Sequence, residues 1–389
     1  MSFARDRQNA PPAFDTEAAA LHSEQARRAA PAASATPWRA EPRLLAIATA
    51  VPTNVLQQER ARDYARVVFG DRIAGFEKLS RVFASTGIEC RYTVEPFEWY
   101  ERAHNWPERT EAYIDGACKL FETVVRKALA AAALNAAQID TVVTVSSTGV
   151  TTPGIEARML PRLGFRPDVR RVPVFGLGCA GGVSGLALAS RIAAGEPGTT
   201  VLLVTIELCS LAFRPDRATK ADIVSTALFG DGAAAAIVRC QAESGIATVR
   251  AATEHLWAKT LNIMGWSTDE AGLGVILSRS LPGFIERNYR AEFHRAMYRL
   301  ALPVSQIDRI VCHPGGAKVL EAIEAALEVP PNTLRVERSV MRDYGNMSSP
   351  TVLFVLERTL AERFEGSAVL AALGPGFTAA FVSLHVGHA

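Results

Sequence analysis

No run of apolar residues in this chain approaches the roughly 18 that a membrane-crossing helix needs, so a membrane-embedded protein is not expected. The opening stretch MSFARDRQNAPPAF carries charge but no apolar core of the kind a secretory signal has, and a cytoplasmic location is the expectation. Neither sign of charge is in excess: 42 Lys and Arg against 40 Asp and Glu leave a net +2. That balance gives no reason to expect nucleic acid or a membrane surface as partner. Paired cysteines are lacking too. The six cysteines (Cys90, Cys118, Cys179, Cys209, Cys240 and Cys312) lie far apart with no CxxC spacing, and no His/Cys set has zinc-ligand spacing. Reduced thiols are therefore expected rather than a disulfide framework.

What is present is an ordinary globular composition, 49% hydrophobic and 21% charged over 389 residues. That length suits two domains or one large duplicated domain. Residues 1–40 are rich in Ala, Pro and charge without a sustained period and read as a mobile tail, with order beginning near RLLAIATAVP. Beyond the tail two segments echo each other at an offset of 168 residues: ALNAAQIDTVVTVSSTG from Ala133 and ALPVSQIDRIVCHPGG from Ala301. Each reads as a helix end, a Gln-Ile-Asp turn, a buried strand and a polar or Gly-rich strand end. Further on, GDGAAAAIV and GPGFTAAFV are both Gly-x-Gly turns into apolar strands. Helical patterns alternating with continuously apolar strands predict an α/β fold whose sheets are buried on both faces. The repetition predicts two similar halves, 41–245 and 246–389.

Ligands of such sheets sit at the carboxyl ends of the strands. Two candidates occupy those places. Cys179, in GLGCAGG, follows an apolar strand and precedes a helix, whose N-terminus favours a thiolate. A cysteine in an apolar run is ordinarily a small buried hydrophobe, but the surrounding glycines allow a tight turn and a close approach to the sulfur. Of the seven histidines, His313 ends an apolar strand with glycine following. A nucleophilic thiol needs such a base, although a satisfied core histidine is the plainer alternative. Asn346, in YGNMSSPTVLFVLE, stands before an apolar helix. From position alone it is equally a turn residue or an amide donor for an oxyanion.

GCAGG, HPGG and YGNMSS, in that order and separated by 134 and 33 residues, together with LFGDGAAAAIV, STGVTTPG and GPGF, resemble the type III polyketide synthases. These are the chalcone and stilbene synthase family of the thiolase superfamily. The resemblance runs from about residue 42 onward. It implies a duplicated thiolase-like α/β/α/β/α five-layer fold, a homodimer, acyl-CoA and malonyl-CoA as substrates, and no metal or redox cofactor. It further implies that Cys179 takes the acyl starter and that His313 and Asn346 hold the malonyl thioester as it decarboxylates. A His313–Cys179 ion pair keeping the thiol ionised is expected with it.

The same resemblance implies Phe229 as a gatekeeper and Val275 in the place of a second gatekeeper phenylalanine. Cys209 and Ala212 stand where plant members have threonines. Thr152, Ser348, Gly374 and Pro375 are implied as pocket residues, and Lys78 and Arg81 as contacts of the CoA phosphates, with Ser85 replacing a third basic position. Smaller, less polar residues at 209, 212 and 275 suggest a roomier cavity, hence a medium- or long-chain fatty acyl starter and an alkylpyrone or alkylresorcinol product. The rival is a ketoacyl synthase III that condenses once. A thiolase would want a second cysteine near GPGFTAAF, and a non-catalytic acyl-CoA-binding scaffold would not need Cys179, His313 and Asn346 intact.

Overall fold

The computed structural model describes residues 38, 40–217 and 219–387. Most of the expected tail, 1–37 and 39, lies outside the described residues, as do His22 and His388. Trp38 and Ala40 already pack on the core.

Nine strands share one sheet: β1 (Pro42–Ala50), β4 (Thr141–Val145), β5 (Arg170–Val174), β6 (Thr200–Leu208), β7 (Asp231–Cys240), β8 (Ala247–Leu256), β11 (Arg309–Cys312), β12 (Gly366–Gly374) and β13 (Thr378–Val386). Two short ribbons complete the strands: β2 (Asn54–Gln57) with β3 (Cys90–Thr93), and β9 (Met264–Asp269) with β10 (Gly272–Leu277). The large sheet runs β11-β12-β13-β8-β1-β7-β6-β4-β5. Its two sides are joined only where β1 meets β8, at Arg43 opposite Thr248 and Leu44 opposite Ala247. β4 and β6 are buried along their whole length, which is why TVVTV and TVLLVTIEL are apolar nearly throughout rather than alternating.

Among the described residues ten α-helices follow in chain order: α1 (Gln58–Phe69), α2 (Phe76–Ser85), α3 (Trp106–Ala131), α4 (Ile155–Leu163), α5 (Gly181–Gly195), α6 (Lys220–Leu228), α7 (Leu281–Arg299), α8 (Ala317–Leu327), α9 (Arg335–Tyr344) and α10 (Thr351–Ala361). They form layers about the sheet. α3 and α4 cover an outer face of the β1, β4, β6 and β7 strands, and α7 and α8 cover an outer face of the β8, β12 and β13 strands. α5 and α10 lie in the layer between, in a core drawn from both sides of the sheet. This is the five-layer thiolase-like arrangement.

Local chemistry sets the boundaries. α3 starts at a capping box, with Glu108 N–H donating to Asn105 Oδ1 at 2.9 Å and Asn105 N–H to Glu108 Oε2 at 3.1 Å. The Gln-Ile-Asp echo is a structural one. Asp140 N–H donates to Thr200 O and Asp308 N–H to Ser367 O, both at 2.9 Å. In return each carboxylate accepts the N–H of that same residue, at 2.8 and 2.7 Å. The two aspartates thus fix β4 and β11 to their neighbours in the same way. α5 can cross α10 closely because it begins with glycine: a Cβ on Gly182 would lie 2.3 Å from Ser349 O.

Candidate active site

Three chain segments converge at the strand ends. Cys179 sits in a single 3-10 turn, Gly178–Ala180, between β5 and α5, and is 6% exposed. Ser147 Oγ, at the end of β4, accepts from Gly176 N–H at 3.1 Å and Gly178 N–H at 3.2 Å and so shapes this turn. Gly178 has φ +48°, and a Cβ there would strike the Pro375 ring at 2.8 Å. The Asn346 and Ser348 side chains line the same chamber wall as the Cys179 thiol.

Asn346 is fixed through its backbone. Its N–H donates to Leu228 O at 2.9 Å and its carbonyl accepts from Gly230 N–H at 3.0 Å, a bridge that straddles Phe229. The Arg91 guanidinium secures Phe229 in turn, donating from Nη1 to its carbonyl at 2.8 Å and to Thr226 O at 2.6 Å. The Asn346 side chain is less committed: Oδ1 accepts from Ser348 N–H at 2.8 Å, while Nδ2 makes only a long 3.4 Å contact to Gly315 O. A donor held that loosely is available to an incoming carbonyl.

His313 follows the last residue of β11, as the strand-end reading expects, with its N–H on Ala371 O at 2.9 Å. It is buried, and neither ring nitrogen has a hydrogen-bond partner among the described residues. Buried polar nitrogens without partners are uncommon and call for an explanation, such as a substrate oxygen. Burial bears on the expected ion pair. Burial pushes the Cys179 thiol up to about 12, against the downward pull of the Ser348 and Asn346 side chains. Burial likewise pushes His313 down to about 3. Each group alone is therefore neutral at pH 7, because desolvation penalises an isolated charge. Charge separation between them arises only as a compensated pair.

A chamber of about 530 Å³ brings together Cys179, Cys209, Phe229 and Val275 with Asn346, Ser348 and Pro375. Gly315 lines it, but His313 is not among its lining residues. Cys209, Phe229 and Val275 form the partition to a second, largely apolar pocket of about 560 Å³ that Ala212 also lines. Leu277 joins the chamber to a wider cleft of about 1020 Å³ bordered by Lys78, Lys220 and Arg279. Three expected residues are not brought here. Thr152 and Arg81 are exposed and line none of these spaces. Gly374 packs its backbone against the cysteine turn, where a Cβ would meet Ala180 N at 2.7 Å, rather than lining the chamber.

The sequence reading also missed residues. Glu207, fully buried at the end of β6, accepts from Ser147 N–H, Thr148 Oγ1 and Ser349 Oγ, each at 2.9 Å. Burial lifts it to about 7 against these bonds. One acid inside the otherwise apolar TVLLVTIEL was the available signal. Lys220 and Arg279 had none, since a lone surface cation is usually only a solvated charge.

The fold and the enclosed thiol define an acyl-transferring, condensing enzyme of the thiolase-like class. The family models for the N-terminal and C-terminal domains of chalcone and stilbene synthases match residues 30–242 and 248–386. A 1,3,6,8-tetrahydroxynaphthalene synthase of Streptomyces peucetius subsp. caesius is 37% identical over 313 residues, covering 79% of this chain and 83% of the relative. Type III polyketide synthase A of Arabidopsis thaliana is 33% identical over 383 residues, covering 92% and 94%. The crystal structure of the tetrahydroxynaphthalene synthase of Streptomyces coelicolor A3(2), a bacterial type III polyketide synthase, superposes with a TM-score of 0.85 at 27% identity, covering 89% of this chain and all of that one. The chain belongs to the chalcone and stilbene synthase family and is a type III polyketide synthase. The family works on CoA thioesters without a further cofactor. Among the described residues no helix is long and apolar enough to cross a membrane.

Proposed function

We propose that Cys179 is the acyl carrier and that His313 and Asn346 are the decarboxylating pair. The observation that carries this reading is the meeting of a buried thiol, the Asn346 amide and Gly315, in the turn that follows His313, at one chamber. The Cys179 sulfur attacks the starter thioester while His313 takes its proton and passes it to the departing CoA thiolate. Malonyl-CoA then loses carbon dioxide. The negative charge that develops on its thioester oxygen is held by His313 and the Asn346 amide. The enolate carbon attacks the acyl carbonyl, and Cys179 leaves as a thiolate that regains a proton from solvent by way of His313. Repetition lengthens the chain before it cyclises. We read the chain as two halves divided near residue 245, acting as a cytoplasmic homodimer.

The starter we infer is a medium- or long-chain fatty acyl group, and the product an alkylpyrone or alkylresorcinol. Support comes from the apolar pocket beyond the partition, walled by Leu56, Ala61, Phe97 and Phe213 among others. Burial of a chain there is worth about 0.8 kcal/mol per methylene. Competition among acetyl-, hexanoyl-, lauroyl- and palmitoyl-CoA, with malonyl-CoA alone as a further arm, tests it. Rising kcat/KM with length supports the reading. Equal turnover across lengths, or a product from malonyl-CoA alone, overturns it. Val275→Phe fills the partition and should erase the preference, by about fourfold per excluded methylene, while acetyl-CoA loading persists.

Lys78, Lys220 and Arg279 would hold the CoA phosphates at the wide cleft. Changing Lys220 or Arg279 to alanine should raise the KM for malonyl-CoA by about three- to tenfold, and less at high salt because added ions screen the contact. kcat should stay unchanged. Steady-state kinetics at low and high ionic strength check this.

A further inference from the structure

β11 is one of the two edge strands of the large sheet and, among the described residues, pairs only with β12, in parallel. Its successive N–H groups therefore alternate between β12 and the open edge. His313 N–H points inward, to Ala371 O. Cys312 N–H points to the edge, yet Cys312 is buried, so that donor needs a partner. The partner is neither a strand nor solvent. It is the carboxylate of Glu337, from the first turn of α9, whose Oε1 accepts the bond at 3.0 Å.

Glu337 is itself buried, 2% exposed, and burial lifts it to about 7. It has no ion pair among the described residues. Arg309 and Arg338, whose charges act on it, pair instead with Glu362 at 3.4 Å and Glu324 at 2.6 Å. Burying a carboxyl beside a strand N–H is a costly arrangement, and its placement indicates what it achieves. From Glu337, α9 continues to Tyr344, and Asn346 follows two residues later. At that far end Asn346 Nδ2 reaches Gly315 O, and Gly315 N–H closes on His313 O at 3.0 Å. The helix thus holds the segment 312–315 at both of its ends.

We propose that Glu337 is a positioning residue for His313. By tying the helix that leads to Asn346 to the strand that ends at His313, it sets the spacing of the two donors that receive the malonyl thioester. This rests on the reading of His313 and Asn346 as the decarboxylating pair. Because side chains alternate across a strand, the direction of His313 follows from the pleat at Cys312. A displacement of about 1 Å at a catalytic group costs as much as 100-fold in rate.

The test compares full-length wild type with Glu337→Leu and Glu337→Gln. Carbon dioxide release from malonyl-CoA is followed alongside the end-point stoichiometry of Cys179 loading by hexanoyl-CoA. Glu337→Leu should lose roughly 10- to 100-fold in kcat for decarboxylation, with KM for malonyl-CoA within about twofold and full loading of Cys179 retained. Glu337→Gln, whose amide oxygen can accept the same bond, should stay within about threefold of wild type. If Glu337→Leu does not fold, Glu337→Asp, which draws the acceptor back by one methylene, carries the same expectation. Wild-type decarboxylation in Glu337→Leu would overturn the proposal. So would equal loss of loading and decarboxylation, which would mark a merely structural role. Absence of carbon dioxide release by wild type would overturn the assignment of the pair, and this proposal with it.

Discussion

Replacing Cys179 with alanine should abolish the covalent acyl adduct and lower product formation by about 10⁴-fold or more, the scale on which loss of a nucleophile acts. The effect is that large because nothing else in the chamber can take over. Cys209 shares the chamber, but its thiol is raised well above the ordinary cysteine range, by burial first and then by Glu207, Asp231 and Cys179. Ser348 has no base of its own and is engaged with the Cys179 sulfur. The adduct is read by intact mass after exposure to an acyl-CoA. Carbon dioxide release from malonyl-CoA by the same variant should persist at a measurable rate, since His313 and Asn346 are untouched. An adduct of unchanged mass on the alanine variant would show that the carrier lies elsewhere.

The second large effect concerns His313. Its removal should cost in two places at once. As an oxyanion donor it contributes roughly 10²- to 10³-fold to decarboxylation. As the proton acceptor for Cys179 it decides how much thiolate exists. Burial holds the isolated thiol at about 12, so without a base only about one part in 10⁵ is ionised at pH 7. The sign follows directly: a thiol whose pKa is raised ionises only as pH climbs toward that raised value. In His313→Ala the rate of Cys179 alkylation by iodoacetamide should therefore rise about tenfold per pH unit from 7 to 9 without a plateau. At pH 7 it should lie at least about tenfold below wild type. Asn346→Ala should share the loss in decarboxylation but keep a near-wild-type alkylation profile. Identical alkylation profiles for wild type and His313→Ala would remove His313 from the role of base.

How far these features could be read from sequence depends on how local their cause is. The strand-end positions of Cys179 and His313 were legible because the signal is contiguous: an apolar strand, a glycine turn and a helix start. The Gln-Ile-Asp echo was legible for the same reason. Its meaning, a shared pair of bonds between Asp140 or Asp308 and the neighbouring strand, appears only when β6 and β12 are in place. Glu207 was visible as an acid inside an apolar strand. The bonds that define its surroundings, to Ser147, Thr148 and Ser349, come from residues about 60 and 142 positions away in the chain. Lys220 and Arg279 join Lys78 across a cleft through folding alone. Arg81, only three residues beyond Lys78, turns to solvent on α2, which no local pattern announces. The charge state of Cys179 and His313 was not legible for a related reason. Residue types and order indicate which groups can exchange a proton, but the cost of charging them depends on burial, which belongs to the assembled fold.

The most direct measurement is the mass of what the purified protein makes from malonyl-CoA and a fatty acyl-CoA starter. A chain-extending polyketide synthase built on Cys179, His313 and Asn346 should release products carrying two or three malonyl-derived units closed into a ring, with none from Cys179→Ala. A β-ketoacyl thioester extended once and left open, as a ketoacyl synthase III would leave it, would contradict that account.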